Sequence, residues 1–141
     1  MLAGTEVPIT CSLAYAPPEV VHLIQDGEQK MVADKSTDMW ALGVIAFEML
    51  TKSRVFSTAT SSPEQAMRQL CGLDPLPWED GAEGAEEKLQ MLKGLRPAVL
   101  RCLARDPKAR PTASGVQRLL GDVFEVSAGI SQFDVVAQPA I

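Results

Sequence analysis

The sequence predicts a mainly α-helical domain, and three observations support that fold class. Apolar residues recur at helical spacing along much of the 141-residue chain, whereas strand-like alternation is nearly absent. Several of these stretches begin with Ser or Thr, or with proline followed by an acid, as helices often do. The most apolar stretch, Lys35–Leu50, predicts a central helix around which the others pack.

The central stretch has one charged residue, Glu48, after its first turn, and its apolar residues do not keep to one stripe. A helix that is apolar on nearly all sides is expected to be buried. Its length of about a dozen apolar residues is short of the roughly 20 that cross a bilayer. Ser36 and Thr37 are the predicted N-cap hydroxyls, and Asp38 places a carboxylate where the helix dipole favours it.

The remaining elements are predicted from turn, capping and proline residues and from the spacing of apolar residues. Residues 1–10 are expected to be loop, as is the segment Ser53–Ser62, and Asp74–Gly84 is expected to be an ordered loop around Trp78. Further helices are predicted at Pro18–Ile24, at Pro63–Leu70, at Glu86–Leu95 with a possible break at Gly94 or Pro97, at Pro97–Leu103, and after a Thr112 cap. Expected inward residues are Leu89, Leu92, Leu95, Val116, Leu119, Leu120 and Val123.

Composition restricts the function. Hydrophobic residues make up 46% and charged residues 22%, which is typical of a globular domain. The net charge of −5 argues against nucleic-acid binding, which needs a basic patch. Cys11, Cys71 and Cys102 fit neither a disulfide framework nor paired zinc ligands, so a cytoplasmic or other reducing compartment is expected. No membrane partner and no secretory signal are expected.

Three motifs, in this order, together resemble the C-terminal lobe of the eukaryotic protein kinase family. YAPPE at 15–19 resembles the end of the activation segment, with Pro17 in place of the usual alanine. DMWALG at 38–43 matches the D-x-W-x-x-G that opens the central helix of that lobe, and CLARDPKARP at 102–111 matches its closing signature. Each motif alone is modest, but their order and separations are those of the family. The resemblance divides the chain into a partial activation segment at 1–17, a helical lobe at 18–124 and a tail at 125–141.

The resemblance also implies roles for single residues. Glu19 and Arg110 match positions that the family joins in a buried ion pair, for which the planar guanidinium is well suited; the alternative is that each charge is solvated. Asp38 matches the acid that accepts N–H groups of the catalytic loop, or is an ordinary first-turn acid. Trp40 and Gly43 complete that helix motif.

A substrate-docking surface is implied at the start of the chain. Ser12 matches the residue that contacts the catalytic base and the substrate hydroxyl, which favours Ser/Thr specificity, and Leu13, Tyr15 and Pro17 match the docking pocket. Thr5 and Thr10 are candidate phosphosites, although the arginine that would pair with them is not among the matched motifs. The helix at 63–70 corresponds to a partner-docking element of many kinases, or is an ordinary peripheral amphipathic helix.

The nucleotide-side motifs of the family do not occur in these 141 residues. There is no G-x-G-x-x-G, no H-R-D loop and no D-F-G; His22 is followed by Leu-Ile. Lys35 follows a V-A-D that superficially resembles the lysine strand motif V-A-I-K, but it lies after the activation-segment motif. We therefore expect this chain alone to bind neither ATP nor Mg²⁺, and to have no catalytic, cofactor or metal residues of its own.

Two functions remain open at this point. The chain is either the C-terminal part of a Ser/Thr-type protein kinase, active when an N-terminal kinase half supplies ATP and Mg²⁺, or a catalytically dead module that binds a protein partner. In both cases the partners are proteins, either a substrate or another binding protein. Because packing elements would be missing, Trp40, Leu42 and Ile45 are expected to be less buried than in a whole kinase.

Overall fold

The computed structural model describes residues 4–10, 12–56 and 62–127, with side chains up to residue 121. These residues form six α-helices, three short 3-10 turns and one two-stranded sheet, which confirms the mainly helical fold class. The helices are α1 (Pro18–Gln25), α2 (Lys35–Thr51), α3 (Pro63–Leu70), α4 (Ala85–Met91), α5 (Arg96–Cys102) and α6 (Ala113–Ser127), and the strands are β1 (Glu6–Pro8) and β2 (Lys30–Val32).

The two strands correct the expectation that residues 1–10 are loop. β1 and β2 pair antiparallel, with Val7 opposite Met31. The pairing continues beyond the strands, since Ala33 N–H donates to the Thr5 carbonyl at 2.8 Å. Three-residue strands are too short to show an alternating pattern, so tertiary pairing decides their conformation where sequence period cannot.

The start of α2 also differs from the sequence prediction. The N-cap is Asp34, whose carboxylate accepts a hydrogen bond from Ser36 N–H at 2.8 Å, rather than the Ser36 or Thr37 hydroxyl. Asp is as good an N-cap as Ser, and the residues at the start of the helix include both Asp34 and Ser36. Asp38 lies in the first turn, as predicted.

One face of α2 is buried and another is open, which corrects the prediction of burial on all sides. Trp40, Val44 and Phe47 are almost wholly inaccessible, so the expectation of reduced Trp40 burial is wrong. Leu42 and Ile45 are 44% and 45% exposed. Within the described ranges, no helix has both the length and the apolarity needed to cross a membrane.

The core surrounds α2, and α1, α3, α4, α5 and the loop that precedes α4 all contribute buried side chains to it. Trp78 from that loop packs against Trp40 and Phe47 of α2, with ring centroids 5.8 and 5.4 Å apart. These tilted arrangements are typical of buried aromatic pairs. The ordered loop predicted around Trp78 is therefore confirmed, and it forms part of the core.

The helices after Trp78 are more divided than predicted. α4 ends at Met91, and a 3-10 turn at Lys93–Leu95 leads into α5. Lys93 has φ +51, a left-handed conformation that ends the helix before Gly94. Pro97 lies in the first turn of α5, where it is tolerated, so it does not break a helix. Leu89 and Leu92 are buried as expected, and Leu95 is half-buried.

α3 and α6 keep their predicted starts. α3 spans Pro63–Leu70, and the Thr112 hydroxyl caps α6 by accepting from Gly115 N–H at 3.0 Å. α6 continues to Ser127, beyond the predicted lobe boundary at residue 124. Three expected inward residues of this helix, Val116, Leu119 and Leu120, are half-buried rather than in the core. The side chain of the fourth, Val123, lies outside the described residues.

Candidate functional site

The predicted docking segment forms a short turn that leads into α1. Leu13–Tyr15 is a 3-10 turn, closed by a hydrogen bond from Tyr15 N–H to the Ser12 carbonyl at 3.0 Å. Ser12 is exposed, whereas Pro17 is buried at the N-cap position of α1. Two consecutive prolines favour this extended entry followed by a helix start.

The docking segment is connected to α2 through Glu48. The Tyr15 hydroxyl donates to Glu48 Oε2 at 3.4 Å, and Val55 N–H donates to Glu48 Oε1 at 3.2 Å. One feature of the sequence is consistent with this role, since Glu48 is the lone charge in the apolar part of α2. A half-buried carboxylate needs such donors, so Glu48 joins the start of the chain to the loop after α2.

Glu19 and Arg110, which are 91 positions apart, form the predicted ion pair. Two parallel hydrogen bonds of 2.6 and 2.8 Å join the guanidinium to the carboxylate. The Arg110 side chain is fully buried and that of Glu19 is 31% exposed. The alternative in which both charges are solvated is therefore excluded.

Arg110 is also a hydrogen-bond hub for backbone carbonyls. Its guanidinium donates to the carbonyls of Ala104 at 2.9 Å, Ser36 at 3.1 Å and Arg105 at 3.3 Å, and it lies 5.1 Å from the centroid of the Trp40 ring. These contacts satisfy a buried charge that would otherwise be costly. The pair thus brings together the starts of α1 and α2 and the loop before α6.

Gly43 allows α2 and α5 to approach closely. A Cβ atom at this position would lie 2.8 Å from Cys102 Cβ and 2.9 Å from side-chain atoms of Leu103. Contacts this short do not occur without displacement, so glycine is required by space rather than by backbone conformation. This explains the glycine of the DMWALG motif physically.

Asp38 begins a continuous exposed strip on α2. Its side chain is exposed, and among the described residues no hydrogen bond to its carboxylate is formed. Leu42, Ile45 and Met49 follow at intervals of four, three and four residues, which places them on the same face. Met49 is 73% exposed. We call these four residues the open face of α2.

An apolar groove adjoins the open face. Its volume is about 200 Å³, and it lies between α2, α5 and α6. Leu42 belongs to both the groove and the open face, so the two form one surface. Several of the residues that line it are small: Gly43, Ala46, Ala98 and Cys102.

Arg105 forms a second polar centre that the sequence analysis missed. Its guanidinium donates two hydrogen bonds of 2.9 Å to the Glu79 carboxylate. Partial burial raises the pKa of Glu79, but the hydrogen bonds from Arg105 and from Leu76 N–H outweigh it and lower the pKa below its ordinary value. Arg105 lies inside the recognised CLARDP motif, yet nothing in the spacing pointed to Glu79 as its partner.

Within the described residues, no three His, Cys, Asp or Glu side chains come together in a way that could hold a metal ion. Thr5 and Thr10 are exposed, and Cys11 lies outside the described residues. Burial raises the pKa of both Cys71 and Cys102, and neither forms a disulfide.

Comparisons with known proteins find similarity to protein kinases. The family model of the protein kinase domain matches residues 5–120. Curated relatives include Germinal center kinase 3 of Caenorhabditis elegans, which is 29% identical over 71% of this chain and 15% of its own length. Another is the Serine/threonine-protein kinase Nek1 of Toxoplasma gondii, 38% identical over 63% of this chain and 5% of its own length. The chain therefore spans a small part of the relatives it matches.

Proposed function

The chain belongs to the protein kinase family, and from this premise we propose that it is the C-terminal, substrate-side part of a Ser/Thr-type protein kinase domain. The complete domain would transfer phosphate from ATP to a protein hydroxyl. This chain alone would be inactive, because its sequence contains none of the motifs that hold ATP, Mg²⁺ or the catalytic base.

The open face of α2 is the observation on which this proposal rests. Leu42, Ile45 and Met49 form an exposed apolar strip on the central helix α2, next to the apolar groove. Contiguous apolar surface of this kind is typical of an interaction site. We propose that the nucleotide-side part of the domain covers it, with backbone N–H groups of the catalytic loop donating to Asp38.

The docking segment supports a substrate role. Tyr15 and Pro17 are held against the lobe by Glu48 and by burial, while Ser12 is left exposed. A fixed turn beside an accessible hydroxyl suits a segment that positions a substrate peptide. Ser12 and the similarity to the Serine/threonine-protein kinase Nek1 of Toxoplasma gondii both favour serine/threonine specificity.

The alternative function is a catalytically dead module that binds a protein partner. The same open face of α2 and apolar groove would then receive that partner instead of a kinase half. Both functions place the chain in the cytoplasm or another reducing compartment, in keeping with its unpaired cysteines Cys71 and Cys102.

The transcript upstream of the Met1 codon distinguishes the two functions. We expect an in-frame extension that encodes a Gly-rich loop, an H-R-D loop and a D-F-G, and we expect the extended protein to phosphorylate a general Ser/Thr substrate. The 141-residue chain is the matched control and should transfer no phosphate. An in-frame stop codon directly upstream, with no such motifs, would overturn the kinase proposal in favour of the binding module.

A further inference from the structure

Helix α3 packs on the core through one narrow apolar face, on which Met67 is half-buried. Only Ala66 and Leu70 of its eight residues are buried. Helices shorter than about 12 residues are marginal on their own, so contacts with the rest of the protein must fix α3. The polar contacts at its C-terminal end are therefore of interest.

Arg105 makes three of these polar contacts, whereas the Arg68–Asp74 pair and the Gln69 amide make others at the exposed surface. One guanidinium nitrogen donates to the carbonyls of Gln69 at 2.9 Å and Leu70 at 3.3 Å, which are the last residues of α3. Another reaches the Asp74 carbonyl in the following loop at 3.5 Å. The last carbonyls of a helix lack partners within the helix, and a cation at that end also suits the helix dipole.

Glu79 completes the arrangement from the opposite side. Its carboxylate accepts both 2.9 Å bonds from Arg105 and a 2.8 Å bond from Leu76 N–H. Leu76 and Trp78 on either side are buried in the core. The loop is thus fixed to the core by its apolar side chains, and Arg105 connects α3 to that fixed loop.

A polar groove lies over the same contacts. It has a volume of about 310 Å³ and lies between α3 and the loop, with Gln65 and Pro77 among its lining residues. Gln69 and Asp74 also line it, and both give their carbonyls to Arg105. Arg105 therefore contacts both walls of the groove, which are also joined at the surface by the Arg68–Asp74 pair and by the Gln69 amide, which donates to the Pro75 carbonyl at 3.2 Å.

We propose that Arg105 is a lock that fixes α3 and the loop after it in one position on the lobe and so sets the shape of the polar groove. The lock requires the guanidinium, because a planar fork can hold a carboxylate and three carbonyl groups at once. A lysine would keep the charge but would lose most of these simultaneous contacts. This inference does not depend on the proposed kinase activity.

Native-state hydrogen exchange of the full 141-residue chain tests the lock. The reporter amides are those of Cys71 and Leu73, which donate to carbonyls of α3, and of Leu76, which donates to Glu79. In Arg105→Ala we expect these amides to exchange about tenfold faster or more, equivalent to about 1.4 kcal/mol, while the amides of α2 keep their rates.

A matched control is available on the same helix. Arg68 pairs with Asp74 at 2.9 Å, but both side chains are well exposed, so Arg68→Ala should leave the reporter amides nearly unchanged. Arg105→Lys should fall between the two variants. If Arg105→Ala does not fold, Arg105→Lys and Glu79→Gln are compared with Arg68→Ala by the same measurement. Unchanged reporter amides, or equal acceleration in α2, would overturn the lock.

Discussion

Arg110 holds the carboxylate of Glu19 through two hydrogen bonds of 2.6 and 2.8 Å, although the two residues are 91 positions apart. The pair connects the first turn of α1 to the loop before α6, and the same guanidinium also reaches the Ser36 carbonyl in α2. A chain segment at each end of the lobe is thereby fixed to the central helix. The ion pair is the main polar link between the motifs that define the family.

Removing Arg110 should strongly destabilise the protein. In Arg110→Ala, Glu19 loses its partner and three backbone carbonyls lose a donor. Because Glu19 is 31% exposed, we expect the free energy of unfolding to fall by about 3 kcal/mol, near the lower end for broken buried pairs. Urea unfolding measures this. Arg68→Ala, which breaks an exposed pair, should lower the free energy of unfolding far less, and an equal cost for both variants would refute the account of the pair.

Glu48 should matter more than its tyrosine partner. Glu48→Ala leaves Val55 N–H, in a buried residue, without its acceptor, so we expect a loss of about 1–3 kcal/mol in unfolding free energy. Tyr15→Phe removes a single 3.4 Å hydrogen bond and should cost about 0.5 kcal/mol. Chemical denaturation of both variants, with the exposed Glu28→Ala as control, tests this order. A larger effect of Tyr15→Phe would contradict it.

A single methyl group at position 43 should disrupt the contact between α2 and α5. The added Cβ of Gly43→Ala would approach Cys102 Cβ to 2.8 Å, so the helices must separate. We expect a cost of about 1–3 kcal/mol, in spite of the better helix propensity of alanine. Gly121→Ala is the matched control, since nothing lies within 4 Å of its added Cβ. It should be neutral or stabilising in thermal unfolding; a stabilising Gly43→Ala would show that the contact is looser than described.

The Glu79–Arg105 pair predicts a specific pH dependence. The pKa of Glu79 is lower in the folded protein than the ordinary value of 4.5, so its stabilising contribution is complete above that pH and is lost as the pH falls through the folded pKa. The difference in melting temperature between the wild type and Glu79→Gln should be constant near neutral pH and should shrink below pH 4.5. The exposed neighbour Asp80→Asn should not reproduce this trend. A difference that grows on acidification would have the wrong sign.

Sequence reasoning succeeded where short-range chemistry determines structure. The span of α3 follows from Pro63 at its start, and the Thr112 cap follows from the pattern before α6. The Glu19–Arg110 pair was found through motif resemblance, because nothing in local sequence can reveal a contact across 91 positions. The roles of Ser12, Leu13 and Asp38 in substrate or catalytic-loop binding stay predictions.

The predictions that the structure corrects share a physical cause. Each concerns a tertiary contact, and tertiary contacts leave no periodic pattern in the sequence. The strand Glu6–Pro8 exists because Lys30–Val32 pairs with it. Trp40 was expected to be less buried, but Trp78 and Arg110 cover it, while Leu42 on another face of the same helix is exposed. The acceptors of Arg105 come from α3 and the following loop, so only the three-dimensional arrangement could identify them.

The effect of Mg-ATP on the melting temperature of the 141-residue chain tests the central claim most directly. The chain is proposed to be the substrate-side part of a kinase domain, with an open α2 face and without the sequence motifs that hold a nucleotide. Ligand that binds only the folded state must raise the melting temperature. We predict no shift with Mg-ATP for this chain and a clear shift once the nucleotide-side part of the domain is joined to it; a clear, saturable shift for the 141-residue chain alone would contradict the claim.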